Sequence, residues 1–202
     1  MKTKDKIKNT SRELFNKKGF KNVTLREVAK ELSISYGNVT YHFETKNQLI
    51  RCLYEDMLKE TVKIIKTFNY NNLLKSTLDA PNITFEISIK YLFFYVDFIE
   101  IKRSYSDVAL KLEQDNNSRK KGYLQILKQL QVQKLLRSEL TDKDLDYLMD
   151  LSGAMRTFFF INLNSKDFLN QDLKNKYVVY VNNLIFPYLT AEGMNKYKFY
   201  LK

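Results

Sequence analysis

The chain has 202 residues, with five glycines, two prolines, one cysteine and a formal net charge of +11. So few glycines and prolines argue against turn-rich sandwiches and barrels, and the single cysteine excludes a disulfide framework and fits a reducing cytosol. No N-terminal segment resembles a signal peptide, and the longest apolar run, YLFFYV, is far too short to span a bilayer. We therefore expect an all-α, cytoplasmic protein that does not associate with membranes.

The positive charge is concentrated near the start of the chain. Residues 1–55 hold twelve basic and six acidic side chains, a net charge of +6, which leaves +5 for the other 147 residues. The total net charge of +11 is weak evidence for a polyanionic partner, because a lysine-rich composition is typical of an AT-rich genome. The uneven distribution still favours a basic module with a polyanionic partner.

Four helices are predicted in the first quarter of the chain. The first covers Lys4–Lys18 and ends at Gly19, because glycine adopts a positive φ without penalty. A second begins in TLRE, where Thr24 and Glu27 form a capping box. A third begins near Ser35, and a fourth, longer helix opens with TKNQ at residues 45–48.

Longer helices are predicted beyond residue 70. Apolar residues cover most of the helix predicted for Ile83–Ile101, so it should be buried on several sides. SDVALKLEQDNN (residues 106–117) predicts a short helix that ends in a polar loop. Three further amphipathic helices are predicted over 119–138, 141–162 and 171–187.

Residues 24–43 predict a helix, a short break and a second helix. Because the break SIS spans only residues 33–35, the helices meet at a sharp angle, as in a helix-turn-helix unit. The second helix of such a unit enters the major groove of DNA. Val39 and Phe43 would anchor it inward, and Gly37 would let its backbone approach the DNA closely. Four residues on the opposite face could contact base edges: Ser35, Tyr36, Asn38 and Thr40.

The stretch TLREVAKELSISYGNVTYHFETKNQL resembles the TetR-type one-component transcriptional regulators. The resemblance implies that helix 3 contacts bases and that flanking residues bind phosphates. In this sequence the phosphate-binding positions are Thr24, Tyr41, His42 and Lys46, and Arg26 also matches and completes the predicted DNA-binding set. Ser33 replaces the turn glycine common in that family, and Thr40 stands where tyrosine is frequent. The match covers about the first 50 residues, and the remainder is similar only in length and helical character.

The resemblance implies two domains joined by a long helix: a three-helix DNA-binding domain over residues 1–50 and a larger helical ligand-binding and dimerisation domain over 51–202. An aromatic pocket for an unknown small-molecule effector is predicted, although aromatic residues at helical spacing are usually core residues. Its predicted residues are Lys90, Tyr91, Tyr95, Asp97, Phe98, Tyr123 and Phe159. The last two long helices are predicted to form a homodimer interface, the alternative being ordinary core helices of a monomer. The interface residues are Leu145, Leu148, Met149, Ser152, Phe159, Tyr177, Val181, Leu184 and Tyr188.

The predicted function is a ligand-responsive repressor that binds a palindromic, double-stranded operator as a homodimer and is released by its effector. With one histidine and one cysteine, and without a candidate nucleophile–base pair, we expect no metal site, no cofactor and no catalysis. Two alternatives remain open. The N-terminal helices could have lost DNA binding, leaving a helical carrier of small molecules, and YGNVTYHF could form a hairpin around Gly37-Asn38.

Overall fold

The computed structural model describes residues 2–163 and 171–201, with the backbone alone at residue 65. Over these residues the chain is helical, which confirms the predicted all-α class, and no described helix combines the length and apolar character needed to cross a bilayer. The pairing of extended backbone in the described part is one isolated antiparallel bridge between Leu136 and Leu189. The helices are α1 Thr3–Lys18, α2 Leu25–Glu31, α3 Tyr36–His42, α4 Lys46–Lys66, α5 Leu73–Lys90, α6 Phe93–Val96, α7 Phe98–Ser104, α8 Ser106–Val132, α9 Asp142–Ile161, α10 Gln171–Asn183 and α11 Ala191–Tyr200.

The chain divides into two compact units. The first unit comprises Met1–Thr61 and Ile87–Glu113, and the second comprises Val62–Glu86 and Gln114–Lys202. Each has its own cluster of buried apolar side chains, and helices α4, α5 and α8 contribute residues to both. The boundary predicted between residues 50 and 51 separates a DNA-binding from a ligand-binding domain and stays a prediction. The two compact units are defined by packing and do not coincide with it.

The short N-terminal helices form where their capping residues predict. α1 ends at Gly19, whose φ of +80° lies where glycine is favoured. Thr24 and Ser35 are the N-caps of α2 and α3, and their hydroxyls accept hydrogen bonds from the backbone N–H groups of Glu27 and Asn38. These caps satisfy donors that the first turn of each helix would otherwise leave unpaired.

The single helix predicted for Ile83–Ile101 was wrong. The chain instead turns after Lys90 and again at Asp97, giving α5, α6 and α7. The side chain of Asn16, on α1, stabilises the first turn: its amide donates to the carbonyls of Ile89 and Lys90, at 3.2 and 3.0 Å, and accepts from Phe93 N–H at 3.0 Å. One side chain therefore satisfies three backbone groups that a continuous helix would pair internally.

Helix α8 is one continuous helix where the sequence predicted two. The sequence predicted a short helix and a second one from residue 119, yet Ser106–Val132 is continuous. The intervening segment EQDNNS is polar but contains neither glycine nor proline, and most of its side chains simply face solvent. Helix α8 ends shortly before Lys134, where φ is +57°.

The second unit contains the predicted helix α9 and an unpredicted helix α11. Thr141 and Asp144 form a complete capping box at the start of α9. Helix α10 ends at Asn183, before the predicted limit at residue 187. Gly193, on α11, lies against the Leu135 carbonyl, which a built Cβ would approach to 2.2 Å. Only glycine permits this close contact.

Candidate nucleic-acid interface

Helices α2 and α3 form the predicted helix-turn-helix unit. Helix α2 ends near Leu32, and Ser33 adopts a left-handed φ of +53°. The amide of Ile34 then donates to the Ala29 carbonyl at 3.0 Å, which closes the turn before α3. Ser33 thus takes the backbone conformation for which glycine is preferred, and the turn forms in spite of the substitution.

Helix α3 has one buried face and one open face. Val39 is fully buried and Phe43 is 2% exposed, so both anchor α3 as predicted. Tyr36, Gly37 and Asn38 are exposed on the other side. Because this segment is helical, the hairpin alternative was wrong.

The predicted base-contacting side chains differ in how free they are. Ser35 Oγ accepts from Asn38 N–H, and Thr40 Oγ1 donates to the carbonyls of Tyr36 and Gly37, so both hydroxyls have local partners. The guanidinium of Arg26 lies 5.0 Å from the centre of the Tyr36 ring, a cation–π contact on the exposed surface. The Asn38 side chain makes no hydrogen bond to the described part of the chain. Among the four predicted base-contacting side chains, the Asn38 amide is therefore the most available for hydrogen bonds to a base edge.

Two of the residues predicted to contact phosphates are exposed at the helix ends beside this surface. Thr24 is exposed at the start of α2, and Tyr41 is 84% exposed at the end of α3. The ring of His42, which is half-buried, packs edge-on against Tyr41 at 5.1 Å between centroids. The nearby carboxylate of Glu27 pairs with Lys18, and this hydrogen bond lowers the pKa of Glu27. The pairing reduces the repulsion that a phosphate would meet there.

Lys46 is placed differently from the other predicted contacts. Its ammonium donates to the Phe20 carbonyl and lies 3.8 Å from the centre of the Phe20 ring. Burial lowers the pKa of Lys46 to about 8, and the nearby carboxylates of Asp97 and Glu100 partly offset this effect. Asp97 in turn accepts from Phe20 N–H at 2.8 Å. Both polar atoms of Phe20 are thus held, so in this structure Lys46 fixes the segment between α1 and α2.

The predicted effector-binding residues fall into separate units. Asp97 accepts from Phe20, as described above. Lys90 and the Tyr91 hydroxyl both donate to one carboxylate oxygen of Glu60, at 2.7 and 2.9 Å. Tyr95 shares a hydrogen bond with Ser88. These residues and Phe98 belong to the first unit, whereas Tyr123 and Phe159 belong to the second.

The predicted dimer interface needs a correction in its choice of face. Leu145, Leu148, Tyr177 and Val181 are buried within the chain itself and cannot present a surface to a partner. The other five predicted interface residues are half-buried: Met149, Ser152, Phe159, Leu184 and Tyr188. Four of the nine line a small cavity of about 20 Å³ inside the second unit, namely Leu148, Ser152, Val181 and Leu184. This stripe is therefore the inner face of α9 and α10.

Sequence reasoning missed Arg156, which lies on the inner face of α9. Its guanidinium donates to the hydroxyls of Tyr177, at 3.0 Å, and Thr84, at 3.3 Å, and its Nε donates to Ser152 at 3.2 Å. The signal was present, because Arg156 follows Ser152 by four residues and so shares the inner stripe. In the described part of the chain, no group of three or more His, Cys, Asp or Glu side chains is placed to hold a metal ion.

The chain matches two protein families. Residues 7–53 match the bacterial regulatory proteins of the tetR family, and residues 53–197 match a family described as bacterial transcriptional repressor. The first match contains α2 and α3, and the second covers well over half of the chain. The geometry and the family assignment therefore coincide on the same segment.

Individual relatives agree with this assignment. The chain is 33% identical over 75 residues to the probable HTH-type transcriptional regulator YttP of Bacillus subtilis, over 37% of this chain and 36% of YttP. It is 30% identical over 98 residues to IcaR of Staphylococcus aureus, a negative regulator of the biofilm operon icaADBC, over 48% of this chain and 47% of IcaR. These matches thus span less than half the length of the curated relatives. A crystal structure of a TetR-family regulator from Marinobacter aquaeolei VT8 is 25% identical, covers 98% of this chain and 96% of its own, and superposes with a TM-score of 0.83.

Proposed function

The chain belongs to the tetR family of bacterial regulatory proteins, and we propose that it is a one-component repressor that binds a palindromic operator as a homodimer. A small-molecule effector bound in the second unit releases it from DNA. The open face of α3 supports this proposal most directly. A buried anchor pair, Val39 and Phe43, holds the helix while Tyr36, Gly37 and Asn38 face solvent. That arrangement is the one a recognition helix needs.

A palindromic operator has two-fold symmetry and requires a protein dimer with the same symmetry. The outer face of α9 is suited to form the interface of that dimer. Tyr147, Leu151, Phe158 and Ile161 are exposed apolar residues at intervals of four, seven and three, so they form one stripe along the helix. Ala154 and Gly153 are also exposed and small, which allows close approach. Val179 and Tyr180 add exposed apolar surface on α10. We assign the dimer interface to this outer stripe, on the two helices predicted from the sequence.

The effector site is proposed at the inner face of the same helices. The cavity there, lined in part by Tyr123, Leu148 and Ser152, has a volume of only about 20 Å³. This volume holds little more than one water molecule, so an effector must separate the surrounding helices to enter. Such an effector binds an opened state better than the closed one and shifts the population toward it. The inner faces of α9 and α10 line the proposed effector site and their outer faces form the proposed dimer interface. A movement of these helices on effector binding therefore also changes the dimer interface.

The DNA-binding proposal is tested by selecting bound fragments from random DNA and measuring affinity against salt concentration. Neutralisation of about three phosphates by the basic side chains of each subunit predicts a slope of log K against log[salt] of about −5. A slope near zero would contradict phosphate-led binding. Failure to select any DNA would instead favour the helical carrier.

Gly37 offers a structural test of the recognition helix. Gly37→Ala should make the chain more stable by up to about 1 kcal/mol, because alanine is the better helix former and a Cβ would meet nothing closer than Ser35 Oγ at 3.9 Å. We expect the same variant to bind the selected DNA at least about tenfold more weakly, since the methyl group blocks close backbone approach.

Gly122→Ala is the matched control. Gly122 lies inside α8, and a Cβ there would meet nothing within 4 Å. It should gain similar stability with unchanged DNA affinity. If Gly37→Ala also left DNA affinity unchanged, α3 would not approach the DNA through this face.

A further inference from the structure

The first unit contains a cavity of about 260 Å³ that the proposed repressor function does not use. Its volume is close to the lower end of the range for ligand pockets, roughly 300–1,000 Å³. Residues of α1 and α4, the last residue of α5 and Tyr91 just after it line the cavity, with Leu53 as the one purely apolar side chain. Lys90 and Tyr91 were predicted for an apolar effector pocket, but the cavity they line is polar. The other six lining residues are Asp5, Lys8, Asn9, Arg12, Asp56 and Glu60.

The charges of this cavity are balanced in number but not in pairing. Lys8 pairs with Asp56 at 2.8 Å and with Asp5 at 3.3 Å. Lys90 pairs with Glu60 at 2.7 Å. All three carboxylates thus have a lysine partner. Arg12 is the cavity's remaining cation, and no described carboxylate lies within ion-pair distance of it.

Arg12 is nevertheless held in a defined orientation. Its Nη1 donates to Asn9 Oδ1 at 3.1 Å, and its Cζ lies 5.5 Å from the centre of the Tyr91 ring. The Tyr91 platform is itself fixed, because the residue is 1% exposed and its hydroxyl donates to Glu60. Burial and the Glu60 hydrogen bond raise the pKa of Tyr91, so the hydroxyl stays a donor at neutral pH.

We propose that this cavity binds a small oxyanion, most simply a short organic carboxylate, with Arg12 as its anchor. The planar guanidinium has five N–H donors, and one bond to Asn9 leaves enough of them for a two-point contact with a carboxylate. Lys8 and Lys90 offset two of the three carboxylate charges and Arg12 offsets the third, so the cavity has no net negative charge to repel an incoming anion. The site lies in the first unit and is independent of the effector site proposed in the second.

Calorimetric titration of the full chain with succinate, inorganic phosphate and the uncharged succinamide tests this proposal. Succinate should bind and succinamide should not, because the anchor requires a charge. Binding of phosphate in preference to succinate would keep the Arg12 oxyanion site and identify an inorganic ligand. Absence of binding by both anions at millimolar concentration would overturn it.

Two variants locate the binding. Arg12→Gln should weaken anion binding by about tenfold or more, since a charge-assisted hydrogen-bonding pair is lost. Arg103→Gln removes an exposed arginine from α7 of the same unit and should leave binding unchanged. Equal affinity in the two variants would overturn the proposal.

A measurement on the unsubstituted chain keeps the test valid if Arg12→Gln folds poorly. The Arg12 Nε–H resonance, assigned by its loss in Arg12→Lys, should shift on titration with the anion that binds. An unmoved resonance at saturation would place the anion elsewhere and contradict the assignment.

Discussion

Ser33 has a strained backbone at the centre of the helix-turn-helix unit. Its φ of +53° is left-handed, a conformation that costs a residue with a Cβ roughly 1–2 kcal/mol. The turn is maintained because Val28 and Ala29 on one side and Val39 on the other are buried. Packing of the two helices therefore offsets a local cost at one residue.

Ser33→Gly should stabilise the chain by about 0.5–1 kcal/mol. The variant removes the left-handed penalty, although glycine's greater freedom in the unfolded chain cancels part of that gain. Thermal or denaturant unfolding measures the difference.

Ser118→Gly is the corresponding control in a regular helix. Ser118 is exposed within α8, so the same substitution should destabilise the chain by up to about 0.5 kcal/mol, because serine already has a lower helix propensity than alanine. A loss of stability in Ser33→Gly as well would mean that the turn does not adopt the positive φ.

At the candidate site, the sequence predicted those features that depend on contacts between residues close together in the chain. The spacing of Thr24 and Glu27 predicted the N-cap of α2, the start of α3 was predicted near Ser35, and periodicity predicted the inward position of Val39. Lys46 was beyond this kind of reasoning. Its ammonium is held by the Phe20 carbonyl, 26 residues away in sequence, and local periodicity contains no information on such a contact.

At the scale of elements, the break after Lys90 depends on one residue of a distant helix. Asn16 on α1 satisfies Ile89 O, Lys90 O and Phe93 N. The apolar pattern of residues 83–101 fits a continuous helix, so nothing local predicted the turn. The contact joins α1 to the α5–α6 turn within the first unit.

Asn16→Ala should therefore destabilise the chain by about 2 kcal/mol. Lys90 O and Phe93 N–H lose their partner, whereas Ile89 O still accepts from the Leu92 amide, and each unsatisfied buried group costs roughly 1–3 kcal/mol where water cannot replace it. Denaturant unfolding gives the stability, and hydrogen exchange at the Phe93 amide should speed up.

Asn175→Ala is the matched control for helix propensity. Asn175 is exposed on α10, and alanine there should leave stability unchanged or slightly increased. If Asn16→Ala behaved in the same way, the break would be stabilised by apolar packing alone.

Helix α11 shows a second limit of sequence reasoning at this scale. It follows the 3₁₀ turn Phe186–Tyr188 and begins after Thr190, whose amide and hydroxyl contact the Leu135 and Lys134 carbonyls. A glycine inside the segment AEGMNKYKFY lowers its helical propensity. The requirement for Gly193 comes from the Leu135 carbonyl, 58 residues earlier in the chain, and becomes visible only in three dimensions.

At the scale of the whole molecule, α9 is apolar on two sides, and this explains the error in the predicted dimer interface. Periodicity identifies a stripe but not whether it faces the core or a partner. Leu145 and Leu148 were chosen, and both are buried in the chain, whereas Tyr147 and Phe158 belong to the exposed stripe. The helices were identified from the sequence, but choosing between their faces required the packing of the second unit.

Phe158→Glu should dissociate the proposed homodimer. Phe158 is 67% exposed in the single chain, so the substitution leaves the core intact and the monomer should unfold at a similar temperature. In a two-fold interface the change occurs twice. Loss of about 1.5–3 kcal/mol of apolar burial from each copy, together with two buried charges, should weaken association by a hundredfold or more. Analytical ultracentrifugation across a concentration series measures this shift.

Phe199→Glu separates this effect from a general loss of surface hydrophobicity. Phe199 is 74% exposed on α11, outside the proposed interface, so its variant should remain dimeric. DNA affinity should follow the assembly state, falling in Phe158→Glu and persisting in Phe199→Glu, because one half-site contact cannot replace two linked ones. A dimeric Phe158→Glu would move the interface away from the outer stripe of α9. A monomeric variant with undiminished DNA affinity would show instead that each subunit binds its operator alone.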